Sequence, residues 1–191
     1  SKVAESRDDI ASIDINPLLV RSDGTVVAVD ALVETTNNGS ARQTQRTRRP
    51  LTDQHFRALF EPRGVVVAGA SSHPGKFGFV SMHNILASGY RGRIFGTNLS
   101  GEEVLGVRTV ASVDELPAGE ADLVFVCTPA KTNPDLLRAC AAKGIKAAFL
   151  TSAGYGEAGD EGRVLEDEIV TLADDLGILL AGPNGQGVVS T

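Results

Sequence analysis

Tryptophan is absent from this sequence, and tyrosine, cysteine and methionine are scarce: two Tyr, two Cys and one Met among 191 residues. Any core must therefore be built from aliphatic side chains and the seven Phe. Cys127 and Cys140 are too few for a disulfide framework, and neither has zinc-ligand spacing. Both read as reduced, buried thiols, which fits a cytoplasmic protein. No apolar run reaches the ~18 residues of a transmembrane helix, and no signal-peptide pattern opens the sequence, so no membrane partner is expected. Positive charge is in deficit, with 18 Lys and Arg against 24 Asp and Glu. The resulting charge of −6 and pI near 5.1 argue against nucleic-acid binding, which needs a basic face. Seven of the carboxylates fall between Asp160 and Asp175, where the solvated face of a helix accounts for them. Histidine is limited to His55, His73 and His83. No nucleophile–base constellation and no pair of loop carboxylates is visible.

What the sequence does have is glycine, 21 residues of it, and an ordered alternation of apolar runs with helical stretches. Ser12 to Asn16 alternates polar and apolar residues, Ser22-Asp23-Gly24 is turn chemistry, and Thr25 to Val29 is β-branched. Residues 1–34 thus read as a small β-hairpin or meander that cannot stand alone. Residues 35–54 are polar, with Arg42, Arg46, Arg48 and Arg49 lacking acidic neighbours, and read as a flexible linker. Residues 55–191 form the main domain. Its expected strands are Gly64 to Ala70, Arg93 to Thr97, a short piece near Val107 to Val110, Leu123 to Cys127, Ala147 to Thr151 and Ile178 to Ala181. Helices are expected over Phe79 to Ser88, from an Asn133 cap with Pro134 at its first position to Gly144, and over Asp160 to Leu176. This order predicts an α/β fold, a Rossmann-like doubly wound parallel sheet. Ligands then bind beyond the carboxyl ends of the strands, in the loops after Ala70, Thr97, Cys127, Thr151 and Ala181.

The first of these loops carries the most chemistry: Gly69-Ala70-Ser71-Ser72-His73-Pro74-Gly75-Lys76-Phe77-Gly78. Glycines let the backbone approach a phosphate, the following helix supplies free N–H groups and a positive dipole end, and Ser71 and Lys76 add a hydroxyl and a charge. A dinucleotide fingerprint would need G-x-G-x-x-G and an acidic residue about 20 residues on. This loop lacks that spacing, and the second strand ends in Thr97-Asn98. Both features count against NAD and leave room for the 3′-phosphorylated ADP of CoA. Thr128-Pro129-Ala130, Ser152-Ala153-Gly154 and Gly182-Pro183-Asn184-Gly185 bring small polar groups to the same sheet edge.

Phe60-Glu61-Pro62-Arg63, Gly69-Ala70-Ser71 and Pro74-Gly75-Lys76 resemble the opening of the CoA-binding domain of NDP-forming acyl-CoA synthetases, relatives of the succinyl-CoA synthetase alpha subunit. Asn98, Gly101 to Gly106, Thr128 to Ala130, Thr151 to Tyr155 and Gly182 to Asn184 follow in that family's order, and the resemblance covers residues 51–191. Two positions depart from the family's common pattern. Asn98-Leu99-Ser100 lacks a lysine often found there, and Gly185 stands where a Cys is frequent. Ile13-Asp14-Ile15-Asn16-Pro17-Leu18 with Val29-Asp30-Ala31 resembles the C-terminal end of an ATP-grasp domain.

The resemblance implies a larger parent with ATP-grasp and ligase domains as partners. There, an acid is activated as its acyl phosphate, a histidine relays the phosphoryl group, and CoA takes the acyl group. Gly69, Ala70, Ser71, Lys76, Phe77, Gly78 and Asn98 would hold the CoA nucleotide. Thr128, Pro129 and Ala130 with Ser152, Ala153 and Gly154 would line the pantetheine path. Asn16 and Asp30 would hold the Mg²⁺ of Mg-ATP, only in a complete ATP-grasp domain. None of the three histidines matches the phosphorylated position, so this piece is expected to bind CoA without turning it over. A non-catalytic CoA-sensing domain and an NAD(P)-binding oxidoreductase domain are the competing readings. A homo-oligomer is compatible with the sequence but not specified by it.

Overall fold

The computed structural model describes residues 10–15, 18–29, 31–35 and 50–185. The chain divides into two compact units, Ser1–Thr47 and Arg48–Thr191. Asn16, Asp30, Arg42, Arg46, Arg48, Arg49 and most of the expected linker lie outside the described residues.

In the first unit β1 (Ile10–Ile15) pairs antiparallel with β4 (Ala31–Thr35), Ile13 opposite Val33 and Ile15 opposite Ala31. Between them β2 (Leu18–Val20) and β3 (Val26–Ala28) form a hairpin, Val20 opposite Val26. Its turn is closed by Asp23, whose Oδ1 accepts the Thr25 N–H at 2.9 Å and the Thr25 hydroxyl at 2.6 Å, while Gly24 takes a positive φ of 81°. The expected hairpin is therefore present as two nested antiparallel pairs.

In the second unit six parallel strands form one sheet: β5 (Gly64–Ala68), β6 (Arg93–Thr97), β7 (Thr109–Val110), β8 (Leu123–Val126), β9 (Ala147–Leu150) and β10 (Leu179–Ala181). Their spatial order is β10-β9-β8-β5-β6-β7. The chain runs from β5 to one edge, returns, and starts β8 on the other side of β5. The switch point thus falls between β5 and β8, where a parallel sheet opens a crevice at its carboxyl end. Gly64–Ala68 is buried at every position, as its unbroken apolar run requires.

The two faces of β5 separate by the period of two. Val66 and Ala68 join Val124, Val126, Ala148 and Leu150 beneath α3 (Asn133–Ala142) and α4 (Asp160–Leu176), which contribute Leu137, Cys140, Ile169 and Ala173. Val65 and Val67 face α1 (Asp53–Phe60) and α2 (Phe77–Ala87), with Ala58 and Leu59 from the first and Met82 and Ile85 from the second. The aliphatic cores leave room for one aromatic pair among the strands, Phe125 and Phe149, with ring centroids 5.0 Å apart.

The sequence reading did not single out α1. At eight residues it is too short for periodicity to show. Its ends explain it instead. The His55 Nδ1 accepts the Thr52 N–H at 3.1 Å, and His55 Nε2 reaches the Gly177 carbonyl at 3.1 Å, so one ring ties the start of α1 to the end of α4. Helix α2 begins two residues earlier than expected, at Phe77, because Lys76 already has extended cap geometry (φ −97°, ψ 146°).

Arg63, just before β5, grips Asp122, just before β8. Its Nη2 donates to Oδ1 at 2.6 Å, and its Nε and backbone N–H donate to Oδ2 at 3.0 and 2.7 Å. The Arg63 guanidinium holds the Asp122 carboxyl below the usual carboxylate range. A depressed folded pKa stabilises the fold above the unfolded value near ~3.9, and this contribution disappears as pH falls through the folded value. Asp122→Asn is expected to destabilise the domain at pH 7, and the gap from the native sequence should close as pH is lowered below about 4. Urea unfolding midpoints across that range test this; a gap that does not vary with pH would remove the charge from the argument.

Candidate functional site

The carboxyl ends of β5, β6, β8 and β9 converge on one edge of the sheet. At the end of β5 the N–H groups of Gly69 and Ala70 both donate to the Thr97 carbonyl at the end of β6, at 3.1 and 2.9 Å. Gly69 has φ +81°, and a β carbon there would sit 2.9 Å from the Cys127 carbonyl oxygen. A β carbon at Gly78 would sit 1.9 Å from the Gly69 carbonyl oxygen. Only glycine lets the first turn of α2 rest directly on the strand end.

Between them the loop is held by its own groups. The Ser71 hydroxyl oxygen accepts the His73 N–H at 3.1 Å, the His73 Nδ1 accepts the Gly75 N–H at 3.2 Å, and the Lys76 N–H donates to the His73 carbonyl at 3.1 Å. Lys76 and Phe77 are exposed, Phe77 at 54%. The backbone N–H groups of Ser71, Ser72, Phe77 and Gly78 have no acceptor among the described residues, and Lys76 has no ion-pair partner among them. Free amides, a helix N-terminus and one unpaired cation on a glycine loop fit a phosphate-bearing ligand.

Asn98 reaches across from the end of β6. Its Nδ2 donates to the Ala70 carbonyl at 2.8 Å, and its Oδ1 accepts both the N–H and the hydroxyl of Ser100 at 2.8 and 2.6 Å. Glu102 joins it, since its Oε1 accepts from Asn98 Nδ2 and from the Ser72 hydroxyl, both at 3.2 Å. The sequence reading looked for an acid at the end of β6 and found none. The fold brings this one in from the next turn.

On the other side of the switch point, Thr128 follows β8, Ala130 opens a short 3-10 turn (Ala130–Thr132), and Ser152, Ala153 and Gly154 follow β9. Thr128 and Ser152 meet through Asn133, which is completely buried. Its Oδ1 accepts from the Thr128 hydroxyl at 2.8 Å. Its Nδ2 donates to the Ser152 Oγ at 3.1 Å and to the Tyr155 Oη at 2.8 Å. The Ser152 hydroxyl donates to the Thr128 carbonyl at 2.6 Å. Asn133 was expected to cap α3. In the structure Thr132 holds the cap position and Pro134 is the second residue of the helix, which leaves the Asn133 amide for the loops.

Beyond Gly154, the Glu157 carboxylate accepts the Gly154 N–H. Burial works to raise this carboxyl, but N–H groups of Gly154, Glu157 and Tyr155 together hold it below its ordinary value. The chain then passes through a cis Gly182–Pro183 bond to Asn184, whose N–H donates to the Ser152 carbonyl at 3.1 Å.

Burial pushes the Cys127 thiol up, and burial with the Asp114 charge pushes Cys140 up to about 12. Among the described residues no group of His, Cys, Asp or Glu is arranged to hold a metal ion, and no helix is long and apolar enough to cross a membrane.

A parallel sheet whose glycine loop and helix N-terminus meet at the switch point defines a Rossmann-like, phosphate-ligand domain. The chain belongs to the CoA binding domain family, whose model matches residues 63–191. It is 35% identical over 185 residues to the ADP-forming acetate–CoA ligase II of Archaeoglobus fulgidus, covering 97% of this chain and 26% of that one. It is 40% identical over 138 residues to the alpha subunit of the ADP-forming acetate–CoA ligase I of Pyrococcus furiosus, covering 70% of this chain and 30% of the subunit. Among solved structures it is similar to the dinucleotide-forming acetyl-coenzyme A synthetase 1 of Candidatus Korarchaeum cryptofilum in complex with phosphate and ADP. That likeness has a TM-score of 0.64 and 28% identity, over 69% of this chain and 28% of the other. The chain therefore spans between a quarter and a third of these three relatives, and it is a CoA-binding module homologous to ADP-forming acyl-CoA synthetases.

Gly78→Ala is expected to destabilise the domain by about 1–3 kcal/mol, because its methyl group must displace the Gly69 carbonyl. Gly89→Ala meets no atom within 4 Å but carries a positive φ of +74°, so it should cost only about 1 kcal/mol of backbone strain. Denaturant unfolding of both variants checks the order. Equal losses would show that the close approach at Gly78 is relieved without cost.

Proposed function

We propose that this chain is the CoA-binding module of an ADP-forming acyl-CoA synthetase, an acid–thiol ligase whose complete form converts a carboxylic acid, ATP and CoA into acyl-CoA, ADP and phosphate. The observation that carries the reading is the Gly69–Gly78 loop: four unpaired backbone N–H groups and Lys76 at a helix N-terminus on the switch point of the sheet. Ser71, Lys76, Phe77 and Gly78 frame the nucleotide diphosphate, with Gly69, Ala70 and Asn98 shaping that cradle. Thr128, Pro129 and Ala130 with Ser152, Ala153 and Gly154 line the path of the pantetheine arm. When bound, CoA supplies the thiol that accepts the acyl group. The protein's part is to hold and orient it.

The first unit is the C-terminal end of an ATP-grasp domain in this reading, and Asn16 and Asp30 serve Mg-ATP only when that domain is complete. The Archaeoglobus match supports this, because it runs over 97% of the chain rather than over the second unit alone. The chain on its own binds CoA without forming a thioester. Its two free thiols fit a reducing cytoplasm.

Calorimetry with CoA, dephospho-CoA and NAD tests the proposal. CoA should bind, more tightly than dephospho-CoA. Binding of NAD with no CoA signal would defeat it. Lys76→Ala should weaken CoA by roughly 1–3 kcal/mol, the worth of a charge-assisted phosphate contact. Unchanged affinity would take Lys76 out of the site.

A further inference from the structure

We infer that Asn133 is a positioning residue that sets the hydrogen-bond polarity of the two loops facing the pantetheine arm; this rests on the CoA reading above. Asn133 is fully buried, yet none of its amide's three hydrogen bonds serves its own helix. They run to Thr128 after β8, to Ser152 after β9 and to Tyr155 just beyond. A buried polar side chain spent in this way fixes geometry, because any shift of either loop strands a donor or an acceptor.

The direction of each bond matters more than their number. The Thr128 proton is committed to Asn133 Oδ1, and the Ser152 proton to the Thr128 carbonyl. Neither hydroxyl has a proton left to give. Both are turned into acceptors. Meanwhile the backbone N–H groups of Ser152 and Ala153 have no acceptor among the described residues. The Ser152 oxygen is buried and already accepts from Asn133, so the loops present the partly exposed Thr128 hydroxyl oxygen as an acceptor beside amides that donate. That is the complement of a pantetheine arm, whose two secondary amides each bring one N–H and one carbonyl. A polypeptide-like arm is read by such a lining. The diphosphate and adenosine end, held at Gly69–Gly78, is not.

The test follows from that division. Affinities for CoA and for adenosine 3′,5′-bisphosphate, which lacks the arm, are measured by calorimetry on the native chain and on Asn133→Leu and Tyr155→Phe. Circular dichroism establishes that each variant is folded. Asn133→Leu should weaken CoA by about tenfold or more while changing the bisphosphate by less than about twofold. Tyr155→Phe removes one hydroxyl from the network and should show the same selective loss at about threefold; it carries the comparison alone if Asn133→Leu does not fold. Equal losses for both ligands, or none for either, would overturn the inference and leave Asn133 a purely structural residue. Failure of the native chain to bind CoA would instead overturn the functional reading itself.

Discussion

The first turn of α2 lies against the end of β5 with no side chain between them. A β carbon at Gly78 would come within 1.9 Å of the Gly69 carbonyl, and one at Gly69 within 2.9 Å of the Cys127 carbonyl. Three stretches of backbone thus meet at one point: the exit of β5, the entry of α2 and the exit of β8. Everything at the binding edge takes its position from this contact. It fixes where the amides of Ser71, Ser72, Phe77 and Gly78 lie. It also brings the Thr128 loop beside the glycine loop, because the exit of β8 is pressed onto Gly69. Since β5 and β8 are the strands flanking the switch point, the contact determines the floor of the crevice.

From that floor outward the site is built by polar groups that satisfy one another. On one side of the switch point Asn98 and Glu102 link the loops after β5 and β6. On the other side Asn133 links the loops after β8 and β9, and Asn184 extends the link to the turn after β10. No buried side-chain nitrogen or oxygen among the described residues lacks a partner. The unpaired amides of the glycine loop contrast with this economy. Where side chains are concerned the edge is self-satisfied. Where the backbone of the glycine loop is concerned it is not, and that imbalance is what marks a place for a ligand's oxygens.

Much of this was legible in the residues. Each main-domain strand begins or ends within two residues of its expected position, since β-branched runs such as Gly64–Ala68 have one plausible environment. Helix α4 was read at its observed bounds from a stripe of Val164, Leu165, Ile169, Leu172, Ala173 and Leu176; all but Val164, which is exposed, pack into the core. The loops at the carboxyl edge lie where they were expected because sheet topology dictates where they fall. The misses share a cause. Helix α1 is held by His55 against Gly177, a contact 122 residues away in sequence. Asn133 looks like a cap locally, and only its burial beneath two distant loops shows otherwise. Glu102 reaches the phosphate loop through the turn after β6, 30 residues from Ser72. Local pattern gives elements and loops; it is silent on which side chain crosses from one loop to the next.

The same chemistry separates holding from reacting. A thioester-forming enzyme needs a group that carries a phosphoryl or attacks a carbonyl. The histidines of this chain are spent on structure or lie exposed: His55 bridges α1 to α4, His73 braces the glycine loop, and His83 stacks on Phe79 at 6.2 Å. Burial pushes the Cys127 thiol up. The edge offers unpaired backbone amides, hydroxyl oxygens and two exposed lysines, Lys76 and Lys131, groups suited to binding a long, flexible, multiply charged ligand. In the proposed reading, holding CoA here lowers the entropy cost of presenting its thiol to chemistry performed elsewhere in the complete enzyme. A site gains affinity from being pre-ordered, and the crossing side chains Asn98, Glu102 and Asn133 supply that order by tying neighbouring loops together.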